Sequence, residues 1–219
     1  MIELYSYFRS SCSWRVRLAL NVLNTPYKTH AINLLKNEQK LETYLSVNPL
    51  GTVPAIRTEE GTVIWQSWAV IDFLDTEGVL LPKEKFERAR CMQIAQTVCS
   101  EIQPLQNLSV VGRVKELAGE NAGADWAVHH NRSKLKIIND SLVDKVGVRC
   151  VGDDVTLADV FVVPQLYSAS RFGIDIKSEF PHLYRIAKSL EQLDAFQKAH
   201  PHAQPDCPDD IRKLGLFFS

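Results

Sequence analysis

The pattern of secondary-structure signals changes character at Leu81-Pro82, and few folds accommodate that change. Before it, short apolar runs alternate with amphipathic stretches. Ile2–Tyr5 reads as a strand and Trp14–Leu23 as a helix whose Val16, Ala19, Leu20 and Leu23 form one stripe. Tyr27–Asn33 reads as a second strand, and Glu38–Ser46 as a polar helical stretch. A turn at Asn48-Pro49-Leu50-Gly51 leads into a strand at Val53–Arg57. Glu60-Gly61 turns the chain into Thr62–Trp65, after which Ser67 caps a helix carrying Val70, Ile71 and Leu74.

After the boundary the chain reads as helices: 86–118 with Pro104 inside, 125–146, 157–170 and 181–199. Val148–Val151 is the one strand-like run there. Pro104 predicts a kink, because proline lacks the N–H and its ring crowds the preceding turn. Thr156-Leu157-Ala158-Asp159 is a capping box flanked by Val155 and Val160, worth about 1 kcal/mol of helix stability. Three prolines after His200 predict an extended tail. The element order β-α-β-α-β-β-α followed by helices is that of an α/β thioredoxin-like domain, residues 1–83, joined to an all-α domain, residues 87–219.

Composition narrows the function classes. The 219 residues are 45% hydrophobic and 23% charged, with a formal net charge of −1, so nothing favours nucleic acid or an anionic membrane as partner. No apolar run is long enough to span a bilayer, and no signal or transit pattern opens the chain. Five cysteines stand far apart without Cys-x-x-Cys or zinc spacing, and the adjacent His129-His130 cannot share a helix face. These features predict reduced thiols, no metal, and a cytoplasmic enzyme.

The chemistry-bearing run is Ser10-Ser11-Cys12, placed where a strand meets a helix. Unpaired N–H groups and the positive dipole end favour an anion there, and hydroxyls can donate to it. Two readings of Cys12 stay open: a thiol whose pKa the helix lowers, or a small buried hydrophobe. Val53-Pro54 is either an edge proline or a cis proline that presents the Val53 backbone to a ligand. Gln66-Ser67 is either a plain helix cap or a carboxylate site. Gln106, Asn107 and Arg171 read as solvated polar residues or as substrate contacts, with Arg171 clamping a carboxylate at the mouth of an interdomain cleft.

These residues carry a family resemblance. The stretches YSYFRSSCSWRVRLAL (5–20), Asn48-Pro49, Val53-Pro54, Gln66-Ser67, IQPLQNLSV (102–110), CVGDDVTLAD (150–159), Arg171-Phe172 and Ala195-Phe196-Gln197 resemble the zeta class of glutathione transferases, over almost the whole chain. The resemblance implies glutathione as cofactor, its γ-glutamyl carboxylate at Gln66 and Ser67, its cysteinyl backbone at Val53, and its thiolate by Ser10, Ser11 and Cys12. It adds Gln39, Gln106 and Asn107 as glutathione contacts and Arg171 as the holder of a dicarboxylate substrate. It implies cis–trans isomerisation of maleylacetoacetate to fumarylacetoacetate in tyrosine breakdown, activity on α-halo acids, and a homodimer. Ser11 is the expected thiolate stabiliser, ahead of Cys12. The competing expectations are a thiol–disulfide reductase using Cys12 and a non-catalytic binding module. Two departures stand out: Trp65 and Trp68 flank Gln66-Ser67, expected to pack the sheet edge, and Leu214–Phe218 extends past the usual end.

Overall fold

Leu4, Ala55 and Ile56 are fully buried, and they lie on the two inner strands of one four-stranded sheet. The computed structural model describes residues 1–142 and 147–215. Strand β1 is Ile2–Ser6, α1 Ser11–Val22, β2 Tyr27–Ala31, α2 Glu42–Leu45, β3 Ala55–Arg57, β4 Val63–Trp65 and α3 Ser67–Leu74. The sheet order is β2-β1-β3-β4, with β1 parallel to β2 and the other two pairs antiparallel. This is the thioredoxin-like arrangement that the alternating first half predicts. Between β2 and α2 the polar stretch folds as two 3₁₀ turns, Leu34–Lys36 and Glu38–Lys40, rather than as one helix.

Helix α1 departs from its predicted stripe. Residues 13–20 are all buried, including both arginines, because α3 and the later helix α10 (Asp194–Ala199) both pack against it. Residues 191–215 therefore belong to the same compact unit as residues 1–79, whereas the sequence reading placed them in the helical half. Asn21 Nδ2 donates to Ala195 O at 3.3 Å and Arg17 Nε to Ala199 O at 3.0 Å. The tail is not extended: a 3₁₀ turn at Pro201–Ala203 and a short helix α11, Asp209–Arg212, follow, and Asp206 Oδ2 accepts from Phe8 N at 2.8 Å. Residues 216–218 of the C-terminal run lie outside the described residues.

The second unit, residues 80–190, holds α4 (Lys85–Gln96), α5 (Leu108–Ala118), α6 (Ala122–Asp140), α7 (Leu157–Ser170), α8 (Ile176–Glu179) and α9 (Pro181–Leu190). Helix α7 is its centre, buried from Leu157 to Ala169. Between α4 and α5 the expected kink is a full interruption. Thr97–Ile102 widens to a π-helical turn and Gln103–Gln106 tightens to 3₁₀, as the missing Pro104 N–H and its crowding ring require. Val148–Val151 forms bends rather than a strand. The predicted helix over 125–146 spans Ala122–Asp140, and residues 143–146 lie outside the described residues. The predicted helix over 181–199 breaks after Leu190, where the chain leaves the helical unit for α1.

His200 couples the first unit to pH. Its ring is buried, stacks edge-on against Trp14 at 5.1 Å, and accepts from His202 N at 3.1 Å. Burial, with His202 and Arg17 as neighbouring positive groups, lowers its pKa from 6.5 to about 3, outweighing Glu191 Oε1 at 3.8 Å from Nε2. The unfolded chain therefore takes up this proton first, so the stability His200 supports is complete above pH 6.5 and is lost as pH falls towards about 3. His200→Asn keeps a capping acceptor but cannot charge. The urea midpoint of the wild type should fall between pH 7 and 4 more steeply than that of the variant; parallel slopes would contradict this assignment.

Candidate active site

The sheet register brings the sequence candidates of the first unit to one end. Tyr5 pairs with Ala55, and Ala55 with Trp65, so the segments following Ser6, preceding Ala55 and following Trp65 leave the same edge of three adjacent strands. Ser6 pairs with Ala31 on the other side, which places the turn carrying Gln39 beyond that end too. Ser10–Cys12, Val53-Pro54, Gln66-Ser67 and Gln39 are thereby gathered from four separate stretches of chain.

At the first stretch the helix begins three residues earlier than its apolar stripe suggests. Ser10 is the cap: its Oγ accepts from Ser13 N at 3.2 Å and its carbonyl from Trp14 N at 2.9 Å. Ser11 and Cys12 are the first two helical residues, and their N–H groups have no acceptor among the described residues. Ser11 is 8% exposed, and among the described residues its hydroxyl has no hydrogen-bond partner. Cys12 is half-buried beside it. Two amides, one hydroxyl and the dipole end make a site for an anion.

The arrangement is held from beneath by Arg17, a residue to which the sequence reading gave no role. Arg17 is fully buried and donates to Ser6 Oγ (3.0 Å), Tyr7 O (3.4 Å), Phe8 O (2.9 Å) and Ala199 O. Burial lowers its pKa to about 10. Its bonds fix the loop that delivers Ser10 and Ser11. Sequence offered no signal for this, because nothing local distinguishes a buried helical arginine from a solvent-facing one.

The second stretch is anchored by Asn48. This fully buried amide donates to Thr52 O at 2.7 Å, and Tyr44 Oη donates to the same carbonyl at 2.6 Å. Burial raises the Tyr44 phenol to about 12, so it remains a donor. The Val53-Pro54 peptide is cis, and Val53 N–H and C=O pair with nothing among the described residues. They are open to a strand-like partner. Among the described residues, Gln39 Oε1 is buried without a hydrogen-bond partner.

At the third stretch Gln66, not Ser67, occupies the cap position, with a positive φ of 75°. Ser67 opens α3, is 4% exposed, and accepts from Arg15 Nη1 at 3.3 Å. Trp65 on the edge strand is 40% exposed, so it does not serve as buried edge packing.

The helical-unit candidates stand apart in kind. Gln106 is buried, exchanging amide bonds with Gln165 (3.1 and 3.5 Å) and accepting from Asn131 Nδ2 at 2.8 Å. This is a buried polar network that leaves one Gln106 Nε2 proton unassigned among the described residues; of the two expectations, a solvated residue is ruled out. Asn107 caps α5 through its Oδ1 on Ser109 N at 3.2 Å. Arg171 is exposed at the C-terminal end of α7.

The chain matches the family models for the glutathione S-transferase N-terminal domain over residues 9–77 and the C-terminal domain over 124–194. It is 41% identical over 214 residues to the maleylacetoacetate isomerase of Mus musculus, covering 95% of this chain and 96% of that protein. It is 40% identical to the zeta class glutathione S-transferase of Euphorbia esula, covering 94% and 92%. Among solved structures, maleylacetoacetate isomerase from Anaeromyxobacter dehalogenans 2CP-1 with bound GSH in the active site superposes with a TM-score of 0.85 at 37% identity, covering 95% and 98%. The same protein has been solved with dicarboxyethyl glutathione and citrate in its active site. The chain belongs to the glutathione S-transferase family, in the zeta class that includes the maleylacetoacetate isomerases.

Proposed function

We propose that this protein catalyses the glutathione-dependent cis–trans isomerisation of maleylacetoacetate to fumarylacetoacetate. The observation that carries this reading is the Ser11 hydroxyl, poised with the open Ser11 and Cys12 amides at the start of α1. The other open polar groups fit a γ-glutamyl tripeptide: an extended backbone meets the open N–H and C=O of Val53, a carboxylate meets the α3 N-terminus at Gln66 and Ser67, and an N–H group meets the buried Gln39 Oε1.

Bound glutathione would supply a thiolate that adds reversibly to the substrate alkene and so frees rotation about it. Ser11 holds that sulfur as an anion through its hydroxyl, helped by the two amides and the dipole of α1. Cys12 tunes the same surface, and Ser10 keeps the helix start in place through Ser13 N. Arg171 is assigned to a substrate carboxylate, since a guanidinium gives two parallel donors in one plane. Asn107, and Gln106 through its remaining Nε2 proton, are assigned as further glutathione contacts. The reading extends to α-halo acids as substrates of the same thiolate, to a cytoplasmic homodimer, and to a role in tyrosine breakdown, all of which rest on the family.

The test is a spectrophotometric assay of maleylacetoacetate conversion with and without glutathione. Conversion should require glutathione and leave its concentration unchanged. Glutathione-independent conversion, or none, would overturn the reading.

A further inference from the structure

We propose that Arg15 is a positioning residue for ligand carboxylate binding, acting through Ser67. The inference rests on the reading of the α3 N-terminus as the γ-glutamyl carboxylate site. Arg15 is 1% exposed and lies one helical turn beyond Ser11, on a helix that packs against α3. Its Nη1 donates to Ser67 Oγ at 3.3 Å, a contact between residues 52 positions apart in the chain.

The chemistry of the hydroxyl gives that contact a direction. A serine hydroxyl carries one proton and two lone pairs, whereas a guanidinium is a donor only. Arg15 therefore occupies a lone pair, and the Ser67 proton points elsewhere. Among the described residues Ser67 Oγ donates to no acceptor, and the side chain is almost completely buried. The hydroxyl is left as a donor whose rotation is restricted and whose polarity the cation increases. It stands in the first turn of an eight-residue helix, where an incoming carboxylate is favoured already. A neutral or acidic residue at position 15 would let the Ser67 proton turn inward and remove it from the ligand.

Arg15 also bridges the two anion sites of the unit. Ser11 begins α1 and Ser67 begins α3, and the one guanidinium is rooted in the first and bonded to the second. Glutathione carries a thiol and a γ-glutamyl carboxylate on one molecule, so both helix starts can be engaged at once when it is bound. The contact between Arg15 and Ser67 maintains the spacing between those starts.

The experiment is a calorimetric cycle with Arg15→Gln, Ser67→Ala and the double variant, each titrated with glutathione and with its γ-glutamyl α-carboxamide analogue. Each single variant should weaken glutathione binding by about 10-fold or more, as expected for a hydrogen bond to a charged group. The double variant should be little weaker than either single one, and binding of the amide analogue should change little in all of them. Arg15→Lys, which keeps the charge and a donor and guards against a folding defect in Arg15→Gln, should show a smaller loss confined to glutathione. Additive losses, or equal losses for both ligands in either Arg15 variant, would overturn the role of Arg15. If the wild-type protein fails to bind glutathione, the underlying reading of the site falls instead.

Discussion

Ser11→Ala should lower kcat/KM for glutathione-dependent isomerisation by about 100- to 1,000-fold, the loss seen when one pre-aligned donor to a developing charge is removed. That corresponds to about 3–4 kcal/mol of transition-state stabilisation. The size follows from the setting: Ser11 is 8% exposed, its hydroxyl has no hydrogen-bond partner among the described residues, and water has little access to replace it. Cys12→Ala should keep activity within about 10-fold, because its N–H remains in place and only a half-buried thiol is lost. Ultraviolet titration of bound glutathione should show the thiol ionising at higher pH in Ser11→Ala than in wild type. The reverse ranking, with Cys12→Ala inactive and Ser11→Ala active, would point to a thiol–disulfide reductase and against an isomerase.

Asp159→Ala should destabilise the protein by about 3–5 kcal/mol, far more than the loss of an exposed helix cap. The carboxylate is fully buried and accepts from Thr156 N at 2.8 Å, Thr156 Oγ1 at 3.0 Å and Cys150 N at 2.9 Å. Burial raises its pKa even though the bonds from Cys150 and Thr156 oppose the shift. Truncation strands two buried N–H groups and releases residues 150–156 from the start of α7. For a chain of this length the melting temperature should drop by about 6–20 °C. Asp159→Asn, which keeps one acceptor, should lose clearly less. Differential scanning calorimetry of both variants measures this, and equal melting temperatures for Asp159→Ala and wild type would contradict it. Sequence identified the capping box but assigned it the value of a surface cap, since local pattern does not reveal the third bond to Cys150.

The same division runs through the molecule. Elements whose signal is local were legible: β1, α3, the 157–170 helix and its cap, and the break at Pro104. Each is set by side-chain periodicity, a capping hydroxyl or a missing N–H, which act within a few residues. The candidate residues at the sheet end were legible too, since serine, cis-capable proline and Gln66-Ser67 carry their chemistry in their type. Their convergence was not, because it depends on the row that joins Tyr5, Ala55 and Trp65 across three strands.

Sequence by itself determined the two-part architecture, the family and the candidate residues at the sheet end. Tertiary structure decided what supports them. Arg15, Arg17 and Gln106 each bond at least one partner more than 50 residues away, and residues 191–215 dock on α1 from the far end of the chain. A charged side chain within a helix reads as solvent-facing until the fold supplies the carbonyls and hydroxyls that make its burial affordable, and no local window contains them.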